Sequence, residues 1–221
     1  MCCLSTAAFL RLHRYLKLDF KLDAISLSLF VFNVLLSAYL VTVAANIGQT
    51  DISYKAILML LLTITGLIGY MTTFGKFPTI DKRLSSTETY EIIGASVVGF
   101  FFVMLLQFSV IQAYKPVYAD IGDIPLRLLL VNIAIGEEYF FRFFIQSSLT
   151  NQFSHAMPMS QATISAILGS SVIMTVYHYV YYGMQWALMA VFVSSLVLGV
   201  VYAVTRRLSV PTIVHILVNL T

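Results

Sequence analysis

The chain is built from long apolar runs separated by short polar segments. The runs cover residues 24–47, 56–74, 92–113, 126–149, 162–182, 186–204 and 210–220. The first six reach the roughly 20 residues that an α-helix needs to cross a bilayer, whereas the last is too short to cross alone. Because helices satisfy their own backbone hydrogen bonds in lipid, the pattern predicts an all-α, polytopic membrane helix bundle of about seven segments.

Composition supports a membrane location and argues against some partners. The 221 residues are 59% hydrophobic and 10% charged, whereas about a quarter of the residues of a soluble domain are charged. The formal net charge of +3 comes without a long basic block, so we expect the lipid bilayer as a partner and no nucleic acid. Cys2 and Cys3 are adjacent, so they do not form a disulfide framework.

Residues 1–23 alternate apolar and basic positions, which is typical of an amphipathic segment at the membrane surface. We therefore divide the chain into this N-terminal cytoplasmic segment and a transmembrane domain over residues 24–221. Nine lysines and arginines lie in segments on the side of the N-terminus, and three, Lys55, Lys115 and Arg127, lie on the other side. The positive-inside rule then predicts a cytoplasmic N-terminus.

Small residues recur at every fourth position on the fifth and sixth runs. Such stripes let helix backbones approach closely in lipid. We interpret them as packing surfaces, formed by Ala162, Ala166 and Ser170 on one run and by Ser195, Gly199 and Ala203 on the other.

Three charged residues interrupt the fourth run, within the segment EEYFFR at residues 137–142. Each ionised side chain at the centre of a membrane helix costs about 2.5–3.5 kcal/mol. Glu138 and Arg142 are four positions apart, so they share a helical face and can form an ion pair. Gln146 extends that face. Glu137 points about 100° away from Glu138, so its carboxylate needs another partner, a water-filled cavity or a proton.

Two later runs carry further polar groups, His178 in the fifth and His215 with Asn219 in the last. One polar pocket shared by three helices would explain why these residues lie in apolar segments. A carboxylate beside an imidazole can take a proton from water. A second imidazole and a carboxamide can donate hydrogen bonds to a developing oxyanion. The set therefore predicts a hydrolase that uses no serine or cysteine nucleophile.

Other interpretations of these residues remain open. Glu138 and Arg142 could serve only as a stabilising pair, and His178 and His215 could be hydrogen-bonded core residues. Two glutamates and two histidines could also hold a divalent metal such as zinc, although the chain has no HExxH segment and we do not favour one. Intramembrane Glu, His and Arg also build proton relays, so a proton- or ion-coupled transporter is an alternative function.

Three motifs resemble those of the CAAX-processing and bacteriocin-processing (CPBP, or Abi) family of intramembrane proteases, which includes Rce1-like prenyl-protein endopeptidases. The family pattern EExxxR reads EEYFFR at residues 137–142, FxxxH reads MTVYH at residues 174–178, and HxxxN reads HILVN at residues 215–219. The first and third patterns match completely, whereas Met174 replaces the phenylalanine of the second. The resemblance covers residues 126–221, which we take as the catalytic core.

The resemblance implies how the reaction would proceed. Glu137 and His178 would activate the attacking water, while His215 and Asn219 would form the oxyanion hole. The substrate would be a peptide or a prenylated protein, from which the last three residues of a CAAX tail are removed.

The resemblance also implies that Glu138 and Arg142 organise the site and that no metal or other cofactor is required. A non-catalytic scaffold or immunity protein is the alternative within the same family. Such a protein would keep the fold but tolerate the loss of Glu137.

Overall fold

The computed structural model describes the backbone of residues 22–75, 80–81, 86–114, 123–182 and 186–220. These ranges contain seven helices, which confirms the predicted all-α bundle. In chain order they are α1 (Ala24–Ile47), α2 (Thr50–Phe74), α3 (Ser86–Tyr114), α4 (residues 123–154), α5 (Met159–Tyr182), α6 (Trp186–Thr205) and α7 (Ser209–Leu220). Two strands of two residues each, β1 (Leu22–Asp23) and β2 (Ile80–Asp81), pair in parallel beside them.

Helix lengths fit a membrane-spanning bundle. Among the residues that the structure describes, four stretches are long and apolar enough to cross a membrane, namely Ala24–Asn46, Thr50–Phe74, Met159–Tyr179 and Ala187–Thr205. Helix α7 has 12 residues, so the short last segment is also observed. Helix α2 begins at Thr50, before the predicted residue 56, and carries Asp51 in its first turn. A carboxylate is stabilised there by the unpaired N–H groups of the helix end, so this polar turn is helical too.

The predicted amphipathic segment at residues 1–23, with Cys2 and Cys3, lies outside the described residues apart from Leu22 and Asp23. Asp23 belongs to the helix bundle, because it is the N-cap of α1 and accepts a hydrogen bond from the backbone N–H of Ser26. The cytoplasmic orientation of the N-terminus and the division into domains stay predictions.

Helix α4 changes its hydrogen-bonding pattern twice. Asp123–Glu137 is α-helical, Glu138–Gln146 is π-helical, and Ser147–Ser154 is α-helical again. The sequence pattern predicts one regular α-helix here, and that detail is wrong. The wider π turns coincide with the EEYFFR segment. Stretches of π-helix inside α-helices are frequent at functional sites.

Helix α2 contacts the backbone of α4 directly, because glycines leave no side chain between them. A Cβ atom built on Gly66 would lie 2.4 Å from the carbonyl oxygen of Tyr139. A Cβ atom built on Gly136 would lie 2.8 Å from the carbonyl oxygen of Met59. Either methyl group would force the two backbones apart, so α2 supports the π-helical segment at van der Waals distance.

Helix α4 lies at the centre of the described bundle. Helices α1 and α2 cover one side of it, α5, α6 and α7 cover the other, and α3 packs outside α6 and α7. The predicted packing stripe on α5 is present, because Ala162, Ala166 and Ser170 are fully buried. On α6, Ser195 and Gly199 are buried and Ala203 is half-buried. The EEYFFR segment therefore meets three helices that carry polar side chains.

Candidate active site

The charged side chains of the EEYFFR segment lie inside the bundle rather than against lipid. Glu137 is 3% exposed, and Glu138 and Arg142 are fully buried. His178 of α5 and His215 of α7 both lie within contact distance of these carboxylates. The structure thus brings together five of the six predicted site residues.

Glu137 lies between the two histidines. Its Oε1 is 3.5 Å from Nε2 of His178, and its Oε2 is 3.8 Å from Nε2 of His215. Both separations are longer than a direct hydrogen bond. The carboxylate that needed a partner in the sequence therefore faces two imidazoles, at distances that a small bridging group could span.

The orientation of the His178 ring follows from its second nitrogen. Nδ1 lies 2.9 Å from the carbonyl oxygen of Met174, one turn earlier on α5. A carbonyl oxygen can only accept, so Nδ1 carries a proton and donates it. In the neutral imidazole, Nε2 then presents its lone pair to Glu137. Two acceptors that face each other at 3.5 Å need a hydrogen donor between them.

Glu138 connects the two remaining charged groups of the site. Its Oε1 accepts a hydrogen bond from Nδ1 of His215 at 3.0 Å, and its Oε2 is 3.3 Å from Nε of Arg142. The ion pair expected from the spacing of Glu138 and Arg142 is therefore present, although in a π-helical segment. His215 contacts both glutamates, so Glu138 fixes the ring that faces Glu137.

Arg142 is further bound by residues from α5 and α6. Its Nη2 donates to Oγ of Ser195 at 2.9 Å and to Sδ of Met174 at 3.3 Å. The sequence pattern indicated only a packing role for Ser195, and the hydroxyl within a stripe of small residues was the one available signal. Gln146 donates to the carbonyl oxygen of Gly199 at 2.9 Å. These contacts fasten α4 to its neighbours around the two glutamates.

Asn219 has a different environment from His215. Its Nδ2 donates to the carbonyl oxygen of Leu130 on α4 at 3.2 Å, whereas His215, one turn earlier on α7, contacts the glutamates. In this structure Asn219 joins α7 to α4. The oxyanion-hole role of Asn219 stays a prediction.

The same side chains are also potential metal ligands. Within the part of the chain that the structure describes, no group of three or more His, Cys, Asp or Glu side chains is arranged to hold an ion. Glu138 is held by Arg142 and by Nδ1 of His215. We derive no reaction step through a metal, and the expectation that none is required stays a prediction.

A protein-family model matches the part of the chain that contains this site. Residues 124–221 match the model described as "Type II CAAX prenyl endopeptidase Rce1-like". The matched region contains almost all of α4 and the whole of α5, α6 and α7, with all six predicted site residues. This region is therefore similar to the Rce1-like group of type II CAAX prenyl endopeptidases. No characterised protein and no solved structure gave a significant match.

Proposed function

We propose that this chain is an intramembrane endopeptidase in which Glu137 and His178 activate the water that attacks a peptide bond. The observation that carries the proposal is the separation of 3.5 Å between Glu137 Oε1 and His178 Nε2 inside the bundle. A water beside this gap can donate one hydrogen to each acceptor, which directs an oxygen lone pair toward a substrate carbonyl. Similarity of residues 124–221 to the Rce1-like family model supports the reaction class.

Proton transfer follows the same geometry. Glu137 takes a proton as the water oxygen bonds to the scissile carbonyl carbon, and the tetrahedral intermediate forms. The proton then passes to the leaving nitrogen as the C–N bond breaks. Glu137 ends the cycle as a carboxylate, so the proton taken from water is returned to the leaving nitrogen without an external acid.

His215 is the donor that we assign to the oxyanion. Its Nδ1 already donates to Glu138 at 3.0 Å, so Nε2 can donate to an oxyanion only when the ring carries both protons. The carboxylates on either side of the ring stabilise that imidazolium. Asn219 could assist with its second amide N–H, because the carbonyl of Leu130 accepts only one of the two.

The substrate that we propose is a prenylated protein with a CAAX tail, from which the last three residues are removed. This assignment rests on the Rce1-like match. It also fits a water-activating site inside a membrane bundle, because a prenyl group brings the tail to the membrane.

Cleavage of a fluorogenic farnesylated CAAX peptide by the purified chain in detergent tests the proposal. We expect activity in the wild type, unchanged by a chelator, and a loss of about 10²–10⁴-fold in Glu137→Gln. Asp51→Asn is the matched control, because Asp51 is an exposed carboxylate in the first turn of α2.

Two results would contradict parts of this proposal. Full activity of Glu137→Gln would remove Glu137 from the reaction. Activity lost with the chelator and restored by a divalent ion would show that a metal is required. If the folded wild type cleaves no farnesylated peptide, the CAAX substrate is wrong, and solute flux in proteoliposomes would then support a transporter.

A further inference from the structure

A buried carboxylate outside the family-matched region connects the ends of two helices. Asp23 precedes α1, and its Oδ1 accepts hydrogen bonds from the backbone N–H of Ser26 at 2.7 Å and from Oγ of Ser26 at 2.6 Å. Its Oδ2 accepts a short hydrogen bond from Oγ of Ser209, the first residue of α7. Arg207 Nη1 lies 3.9 Å from the same oxygen. One carboxylate therefore joins the first turns of α1 and α7.

The same turn of α1 also binds the EEYFFR segment. The hydroxyl of Tyr139, the residue after Glu138, donates to the carbonyl oxygen of Ser26 at 2.5 Å. Asp23, Ser26, Arg207, Ser209 and Tyr139 are all buried. We call these five residues the N-terminal clasp. It attaches both α4 and α7, which carry the two glutamates and His215, to the start of α1.

The position of α7 depends on such an attachment. The helix has 12 residues, too few to span a bilayer alone, so its placement relies on contacts with the rest of the bundle. It follows α6 after a turn of three residues, in which Arg206 adopts a left-handed conformation with φ of 55°. His215 lies six residues after Ser209, about 9 Å along the helix axis. A shift of Ser209 would therefore carry the imidazole away from Glu137 and Glu138.

Burial of the Asp23 carboxylate is not needed to cap α1 alone. An N-cap carboxylate can remain exposed to water and still accept from the first turn of its helix. Desolvation of a charged group is costly unless hydrogen bonds offset it. The cost of burying Asp23 is instead offset by its contacts to Ser209, at the start of α7, and to Arg207, in the turn before it.

We propose that Asp23 is a positioning residue of the active site, which holds His215 of α7 and the glutamates of α4 in register through the N-terminal clasp. The proposal rests on the proposed protease function for its kinetic test. Asp23 lies before the first membrane helix, whereas the proposed catalytic groups all lie after residue 124. Asp23 would therefore affect the reaction only through the positions of α4 and α7.

The kinetic test compares Asp23→Asn and Ser209→Ala with wild type on the farnesylated peptide, well below the unfolding temperature. We expect kcat to fall at least about tenfold while KM changes less than about threefold, because misplacing catalytic groups by about 1 Å can cost about 10²-fold. Ser209→Thr keeps the hydroxyl and should retain near wild-type kcat. Asp51→Asn and Ser28→Ala are the controls, because both residues are exposed near helix starts.

Amide hydrogen exchange tests the clasp without reference to activity. We expect peptides from residues 206–220 to exchange about tenfold faster in Asp23→Asn and Ser209→Ala, the factor that matches the loss of one buried hydrogen bond or helix cap. Peptides from α5 should exchange as in wild type. Ser209→Ala also covers the case in which Asp23→Asn fails to fold.

The outcomes separate the two proposals. An inactive wild type with faster exchange of α7 in the variants would overturn the protease function and leave the attachment of α7 standing. Unchanged exchange of α7 together with unchanged kcat would overturn the clasp. A rise in KM at constant kcat would also overturn it, because that result places Asp23 in substrate binding.

Discussion

Helix α4 carries two buried polar clusters of different character. The amide cluster consists of Asn33, Ser37, Thr63 and Asn132, in which Asn132 donates to Asn33 and Ser37 and Asn33 donates to Thr63, each at 2.8 Å. The charged cluster consists of Glu137, Glu138, Arg142, His178 and His215, in which the contacting charged atoms lie 3.0 to 3.8 Å apart. The first cluster is joined by three direct neutral hydrogen bonds, whereas in the second Glu137 lies 3.5 and 3.8 Å from its two histidines.

The difference indicates what each cluster does. Neutral hydrogen bonds between helices stabilise a bundle without burying charge, and each contributes about 1 kcal/mol. A buried ion pair contributes little net stability, because desolvation offsets the attraction between its charges. The amide cluster is thus sufficient to join α1, α2 and α4. The charged cluster adds a cost that packing does not require, which supports a chemical role for it.

The largest expected difference between loss of activity and loss of stability comes from replacing His178. His178→Ala should lower kcat about 10²–10⁴-fold, because the water loses one of the two acceptors that orient it. The folded state should be little affected, since the imidazole is partly exposed and its Nδ1 contact is local to α5. Peptide cleavage and thermal unfolding in detergent measure the two effects. Loss of folding with normal activity in the remaining folded fraction would make His178 a structural residue.

Replacing Arg142 should lower stability strongly, whereas replacing His178 should leave stability nearly unchanged. Arg142→Met leaves Glu138 buried without its cation, and breaking such a pair costs about 3–5 kcal/mol. Adding Glu138→Leu should recover most of that loss, since apolar residues of similar volume can replace a buried pair. Activity should stay low in the double variant, because His215 loses its acceptor.

The control for that experiment is Arg127→Met, on an exposed position of α4. Its unfolding should match wild type. A double variant no more stable than Arg142→Met would mean that the unpaired Glu138 is not the source of the instability, and the charged cluster would then have to be a stabilising element in its own right.

The amide cluster should affect stability more than catalysis. Asn132→Ala leaves Asn33 and Ser37 without their buried donor, which costs about 1–3 kcal/mol. Because Asn132 lies five residues before Glu137 and contacts α1 rather than the histidines, kcat should stay within about threefold of wild type. Unfolding and peptide cleavage are measured on the same preparation. A loss of kcat comparable to that of His178→Ala would join the two clusters into one functional unit.

Sequence patterns predicted the bundle and the candidate residues because both depend on local properties. Each apolar run is long enough to specify a helix in lipid, and the predicted run at residues 24–47 coincides with α1, which ends at Gly48 in a left-handed conformation. The cost of burying Glu137, His178 and His215 marked them for attention before any contact was known.

Contacts between distant segments could not be predicted in the same way. The π-helical segment lies against Gly66 of α2, a residue in a helix that carries no motif. The spacing HxxxN places His215 and Asn219 on one face, but it does not reveal that one contacts Glu138 and the other the carbonyl of Leu130. Asp23 was assigned to a surface segment, since nothing local indicates that Ser209 binds it.

The smallest expected effect comes from replacing Met174, which contacts both Arg142 and His178. Its sulfur accepts from Arg142 at 3.3 Å, while its carbonyl oxygen accepts from His178 at 2.9 Å. Met174→Leu removes the first contact and keeps the second, because the backbone is unchanged. We therefore expect a stability loss below about 1.5 kcal/mol, as for a volume-conserving core substitution, and kcat within about tenfold of wild type.

Met189→Leu, on an exposed position of α6, is the matched control. Met174→Phe introduces the residue of the family pattern and should also remain active, provided that α5 accommodates the ring. If Met174→Leu instead abolished cleavage as His178→Ala does, the thioether contact would be required to keep Arg142 and Glu138 in place. Arg142 would then be needed both for the stability of the bundle and for catalysis, so the two clusters would not separate structural from catalytic residues.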